Sequence, residues 1–329
     1  MQFSLYANPQ TAPEESATSL REGMFEIVRA AEEAGFDQVM AGQHYLSTFT
    51  QLQLLPYIAR LTGEIETLDI ATGVVLLPFY HPIELAEQFA TIDALHDNRT
   101  VFGVGAGYRD VEFHAFDVPK TERVPRLLEG LELTRALLTE EAVTYDGEYY
   151  SVSDATLPVR PDTPPRFWLA ANSTAAVERA ARVSDAWLVN PHSTIAEIRA
   201  QKESAYDPIR GERDRGSEVP IIREVFVAPT RDGAVETANT YLWEKYQRYL
   251  SWGQDEAMED PTDLHRPFDE LAEDRFVLGP PADVCAEIER YERELDASHF
   301  VVRSHWPGLP YSRTRESIQL MGDEVIPHV

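Results

Sequence analysis

"VFGVGAGYRD" occupies residues 101–110 and carries glycines at 103, 105 and 107. A glycine-rich turn after an apolar run can mark a dinucleotide-binding unit in an open, doubly wound sheet. That mark needs G-x-G-x-x-G opening a helix, with an acidic residue about 20 positions further on. Here the spacing is G-x-G-x-G, followed by Tyr108 and no further glycine. About 20 positions on, Leu127 and Leu128 fall inside an amphipathic helical pattern, not at a strand end. The stretch therefore reads as a strand and its turn, and the fold follows from what surrounds it.

Working outward, apolar runs alternate with amphipathic ones along the whole chain. "LDIATGVVLL" (68–77) precedes "PIELAEQFATIDAL" (82–95), and "TVFGVG" (100–105) precedes "RVPRLLEGLELTRALL". The same pairing of a short apolar run with a helical pattern begins at 3, 37, 166, 185, 221 and 299. A β-then-α alternation predicts a parallel sheet. Eight such units predict a closed (β/α)8 TIM barrel, with the open doubly wound sheet as the alternative. Two segments interrupt the alternation. Residues 143–165, after strand four, have a hairpin pattern with an Asp-Gly turn and a proline-rich end. Residues 251–275, after strand seven, are acidic and weakly periodic, an excursion from the barrel top or a plain surface insertion. With no domain boundary visible, residues 1–329 read as a single domain.

Composition bounds the function. No stretch approaches the roughly 18 apolar residues of a membrane span, and the first residues read as a strand, not as a signal peptide. One cysteine, Cys285, excludes an internal disulfide framework and fits a reducing cytoplasm. The chain has 56 acidic and 29 basic residues, a formal charge of −27. The acids are scattered along helices, which argues against nucleic acid and anionic membranes as partners. Such a surface resembles that of haloarchaeal proteins, kept soluble where salt screens self-repulsion.

Barrel chemistry gathers at the C-terminal ends of the strands. Strand two leads into "GQHY" with His44, strand three into Tyr80 and His81, strand six into His192, and strand eight into Arg303, His305 and Trp306. Tyr108 follows the glycines of strand four. Each histidine taken singly suits packing; four on one face suit a site. Strand one has no histidine, and no two histidines stand at i, i+2 or i, i+4, so no metal centre is expected. Asn172, Ser173 and Thr174 lie where strand five gives way to a helix, where free N–H groups and hydroxyls suit an anion or an ordinary helix cap.

The order of motifs resembles the bacterial luciferase-like family of flavin- and F420-dependent oxidoreductases. The matching pieces are "AAEEAGFDQVMAGQHY", "LDIATGVVLLPFYHPIELAEQFATIDALHDNRTVFGVGAGYRDVEFHAFDV", "PPRFWLAANSTAAVERAARVSDAWL" and "SHWPGLPYSRTRESIQLMGDEVIP". The resemblance implies that His44 is the catalytic residue near the cofactor's reactive edge. It implies that Gly73–Val74 stand where deazaflavin-dependent members carry a non-proline cis peptide. Gly105, Ala106 and Gly107 would lie against the ring, and Asn172, Ser173 and Thr174 at the cofactor phosphate. Tyr80, His81, Tyr108, His192 and Trp306 are assigned to the substrate pocket. Ala106 stands where many flavin-mononucleotide members have arginine, with Arg109 as a substitute phosphate partner. The expected activity is a monooxygenase using reduced FMN and O2 on a small organic substrate. F420-dependent hydride transfer and a non-catalytic flavin-binding barrel are the alternatives. A separate flavin reductase and a homodimer are the expected protein partners.

Overall fold

The structure, a computed structural model, describes residues 1–97, 99–212, 218–258, 260 and 262–329. Eight parallel strands close on themselves: β1 (Gln2–Tyr6), β2 (Gln38–Ala41), β3 (Asp69–Thr72), β4 (Thr100–Gly105), β5 (Arg166–Ala171), β6 (Ala186–Val189), β7 (Ile221–Val227) and β8 (His299–Arg303). Each pairs with its sequence neighbours, and β8 pairs with β1 to complete the ring. This is the (β/α)8 TIM barrel that the alternation predicts. The open doubly wound sheet would leave β1 and β8 as separated edges and is not what forms.

Alternation along each strand builds two cores. Phe3 and Leu5 of β1, and Phe300 and Val302 of β8, face the surrounding helices in a cluster that runs from Phe3 to Val325. Tyr6 and Val301 face inward with Met40, Ala71, Trp168, Leu188 and Ile222. Polar groups fill the barrel floor: Ser4 Oγ lies 2.6 Å from His299 Nε2 and donates to Gln38 Oε1 at 2.8 Å. Burial lowers the His299 pKa to about 4.

The glycines of the opening stretch are packing residues. A Cβ on Gly103 would collide with the Thr72 carbonyl of β3. Gly107 has φ +74°, a conformation that favours glycine, and it turns the chain toward the helix Asp110–Ala115. β3 ends at a cis peptide, Gly73–Val74, and resumes as the short strand Val75–Leu76 beside β4.

Between β4 and β5, Val143–Asp146 and Ser151–Ala155 form an antiparallel hairpin. The Glu129 carboxylate holds its turn by accepting from the backbone N–H groups of Glu148, Tyr149 and Tyr150. Between β7 and β8, residues 251–275 pack over the barrel mouth; Glu259 and Pro261 of that stretch lie outside the described residues. Leu264, Phe268 and Leu271 join Tyr246, Phe276 and Trp306 in a second apolar cluster. An added strand, Phe276–Gly279, pairs with the second half of β7, while the first half pairs with β8. Glu224 sits at this fork, directly across from Arg303 in the register.

Candidate active site

A cavity of about 440 Å³ opens at the C-terminal ends of the strands. Such a volume is in the ordinary range for a small-molecule site. Its wall on the β3–β4 side is backbone and small side chains: Gly73, Val74, Gly105, Ala106 and Gly107. The Tyr6 hydroxyl donates to the Gly73 carbonyl and fixes that edge. Burial raises the Tyr6 pKa to about 12, so it stays a donor.

His44 enters from the loop after β2. Its Nδ1 lies 3.3 Å from Glu112 Oε1. Glu112 is fully buried, and the same oxygen accepts from the Tyr45 N–H at 2.8 Å and from Arg109 at 3.2 Å. Arg109 also donates to the carbonyls of Tyr45 and Leu46 and lies flat over Trp252, 4.1 Å from its ring centre. The loop that carries His44 is thus tied to the short helix that follows the glycine turn. The rings of Tyr108, Tyr249 and Trp252 meet the imidazole edge-on at 5.4–5.9 Å.

Among the described residues four cations and one carboxylate, Glu256, line this cavity, although the chain as a whole is strongly acidic. Three of the cations, Lys120, Arg123 and Arg179, share the wall with Asn172, Ser173 and Ala176 at the start of the helix Thr174–Val183. Lys120 is paired with Asp110 at 2.5 Å. Arg179 makes no hydrogen bond or ion pair among the described residues, and burial, followed by the nearby Arg123 charge, lowers its pKa. A half-buried guanidinium beside another suits an anion.

On the barrel axis lies the fourth cation. Arg303 of β8 faces Glu224 of β7 at 3.4 Å and stacks over Tyr6. Glu224, wholly buried, also accepts from Lys245 Nζ at 2.5 Å and from Trp306 Nε1 at 2.7 Å. Burial, then the Arg303 charge, pulls the Lys245 pKa down to about 7. His192 lines the same end, with Nδ1 3.1 Å from the Tyr246 hydroxyl; burial lowers its pKa well below the usual value, so it is neutral.

The structure brings His44, Gly73, Val74, Gly105, Ala106, Gly107, Tyr108, Asn172, Ser173 and His192 to one cavity. Four residues assigned to the site stand outside its lining. Thr174 begins the helix behind Ser173. Tyr80 turns away to the hydroxyl of Tyr45 and the side chain of Gln43. His81 caps the helix Pro82–Leu95 by accepting from the Ile83 N–H, and packs on Tyr150. Trp306 is wholly buried in the second cluster, because its indole N–H is spent on Glu224. Arg109 is likewise no phosphate partner: it is consumed beneath His44. The sequence reading did not single out Glu112, Glu224, Lys245, Tyr249, Trp252 or the outer cations. Arg123 and Arg179 lie in helices beyond the strand ends, where the strand-end rule does not look, and nothing local distinguishes Glu112 or Glu224 among so many acids.

The fold is matched by known proteins. The family model described as "Luciferase-like monooxygenase" matches residues 1–298, so the chain belongs to that family. A relative named F420-dependent glucose-6-phosphate dehydrogenase, from Microbacterium testaceum (strain StLB037), is 28% identical over 91% of this chain and 90% of its own. The monooxygenase RslO1 from Streptomyces bottropensis superposes with a TM-score of 0.88, at 22% identity and with 100% and 99% of the chains covered. An F420-dependent secondary alcohol dehydrogenase bound to an F420–acetone adduct superposes at 0.79 with 19% identity, covering 100% of this chain and 98% of that one. The chain is an enzyme, an oxidoreductase of this family, which removes the non-catalytic barrel. No helix among the described residues is long and apolar enough to cross a membrane.

Proposed function

We propose that this enzyme transfers hydride between coenzyme F420 and the alcohol or carbonyl carbon of a small organic substrate. The observation that carries the reading is the His44–Glu112 pair presented to the cavity. Glu112 takes the Nδ1 side of the ring, which leaves Nε2 to hold or move a proton at a substrate oxygen. The curated relatives, named as F420-dependent dehydrogenases at 27–29% identity over most of the chain, support the choice of cofactor.

The residues present fit such a group. Gln43 Nε2 and the Tyr108 hydroxyl are buried without partners and line the cavity, so they can donate to or accept from a polar ring. The smooth wall from Gly73 to Gly107 suits a flat ring. Asn172, Ser173, Lys120, Arg123 and Arg179 would hold the phosphate end. When bound, F420 supplies the carbon that accepts or returns hydride. The protein's share is to orient the substrate oxygen toward His44, to receive the alcohol proton there, and to keep water out with Tyr108, Tyr249 and Trp252.

That aromatic wall is also the observation that favours a second reading, a monooxygenase using reduced FMN and O2. Exclusion of water would matter there too, and a separate flavin reductase would supply the reduced cofactor. The test is reconstitution with each cofactor under nitrogen and under air. Oxygen-independent loss of the F420 absorbance on adding an alcohol supports hydride transfer. Oxygen uptake coupled to reduced FMN, with no F420 turnover, replaces it with the second reading.

A further inference from the structure

Buried Arg109, Arg210 and Arg223 each donate from both terminal nitrogens to protein acceptors. Arg223 donates to Tyr291, to the carbonyls of Asn190 and Ser193, and to its neighbour Ile222. Arg109 donates to Glu112 and to two carbonyls. Arg303 is the exception. It lines the cavity, yet its one hydrogen bond among the described residues is a long 3.4 Å contact to Glu224. A guanidinium has five N–H donors in a planar fork, so most of this one's capacity points at the open space.

The charges around it leave a surplus. Among the described residues Glu224 is the sole carboxylate bonded to this group, and it is already held by Lys245 at 2.5 Å and Trp306 at 2.7 Å. Two cations against one carboxylate leave a positive balance, and the charges of buried Arg223 and Arg275 also reach His192 and Tyr246. The groups facing it, Tyr6, Tyr249, Tyr246 and His192, add no negative charge near neutrality. Against the opposing effect of burial, the Glu224 charge raises the Arg303 pKa and keeps the guanidinium charged, while Lys245, with a pKa of about 7, is only partly charged. A buried unit charge without a partner is costly, and water in the cavity or a ligand must compensate for it.

The place is right for a substrate. Tyr249 spans the two ends: its ring lies 5.6 Å from that of His44, and Lys245 Nζ sits 5.6 Å from its centre on the way to Glu224 and Arg303. The outer cations Lys120, Arg123 and Arg179 come from the helices on either side of β5, whereas Arg303 comes from β8, so the two anion-seeking ends have separate work.

We propose that Arg303 anchors a carboxylate of the substrate, so that this enzyme acts on small organic acids whose reacting carbon lies beside His44. A planar carboxylate matches the guanidinium fork with two parallel hydrogen bonds. The proposal rests on His44 marking the reacting end, but its test needs no turnover and therefore separates the two.

Protein loaded with F420, and in parallel with FMN, is titrated with benzoate, benzamide and phenyl phosphate by calorimetry. The bound cofactor's phosphate occupies the outer cations, so the difference among the probes reports the inner end. Benzoate should bind at least about tenfold tighter than its neutral isostere, and phenyl phosphate no tighter than benzoate. Arg303→Met should abolish the preference and leave benzamide unchanged, and Arg303→Lys should lower it severalfold by losing the fork. Where Arg303→Met does not fold, the double variant Glu224→Gln/Arg303→Met removes both charges together and should show the same loss. Equal binding of benzoate and benzamide by the unaltered protein overturns the proposal. So does a preference that survives loss of Arg303, or an Arg303-dependent preference for phenyl phosphate. Absence of F420 turnover with an Arg303-dependent preference intact would remove the hydride reading alone.

Discussion

Two buried carboxylates flank the cavity, each with an arginine, and they are used differently. Glu112 gives one oxygen to His44, to the Tyr45 N–H and to Arg109, and Arg109 is consumed by backbone carbonyls and the face of Trp252. Glu224 is held by Lys245 and Trp306 and leaves Arg303 mostly unspent. The first arrangement fixes the His44 ring in place. The second leaves donors open to the cavity. A buried ion pair therefore does not reveal its role by existing; the role lies in which donors remain after the pair is made.

The largest expected effect falls on the first pair. His44→Ala should cut turnover by about 10²–10⁴, as loss of an acid–base group does, with cofactor affinity changed little. Steady-state rates and a fluorescence titration of the cofactor check this; full activity in the variant would make His44 structural. Next, Glu224→Gln should cost about 3–5 kcal/mol of stability, because it leaves two buried cations unpaired. Denaturant unfolding measures it, and a loss well below that range would mean that water reaches the pair. Third, Arg179→Gln should weaken cofactor binding about tenfold and leave stability unchanged or improved, since the wild-type guanidinium has no partner to lose. Unchanged cofactor affinity would move the phosphate elsewhere.

A smaller effect comes from pH. His299 and His305 have pKa values of about 4, both lowered chiefly by burial. Between about 4 and 6.5 the unfolded chain takes up protons that the folded one refuses, so stability falls on acidification by about 1.4 kcal/mol per pH unit for each group. His305 has one ring partner, Thr314, and its Nε2 has none. A His305→Gln variant should flatten the lower limb of the stability–pH profile; an unaltered slope would show that this histidine charges in place. Lys245 acts at the other limb. Its folded pKa is depressed, so its penalty is full below about 7 and is relieved as pH rises toward 10.5.

The smallest effect per group, though summed over many, concerns salt. The surface acids repel over about 10 Å at about 0.1 M salt and over about 3 Å at about 1 M. The thermal midpoint should rise between those concentrations of KCl. A flat midpoint would mean that the acidic surface is no salt adaptation. Mild acidification would relieve the same repulsion, but the buried histidines oppose it, so salt is the cleaner variable.

Much of the barrel was legible before any coordinates. Each strand and each flanking helix must bury one face, and that need is written locally as a period of two or of 3.6. Gly103 and Gly107 were recognisable as a strand and turn because the dinucleotide spacing fails. His44, Asn172 and Ser173 could be placed because barrel chemistry sits after strand ends. Trp306 and His81 obeyed the same rule and still lie outside the cavity lining. A strand end fixes where a backbone goes; it does not fix which side of the next turn a ring takes, and Trp306 turned to the one buried acceptor in reach.

By itself, the sequence determined the number and order of the strand–helix units, the barrel they form and the end where the chemistry gathers, since these follow from patterns a few residues long. The tertiary structure decided which charges are spent. Glu112 and His44 are 68 residues apart, Arg303 and Glu224 are 79 apart, and no local pattern connects them. Which of many acids and arginines meet in the interior depends on the closure of the ring. An arginine left mostly unspent at that closure is a fact of distance and burial, not of residue type.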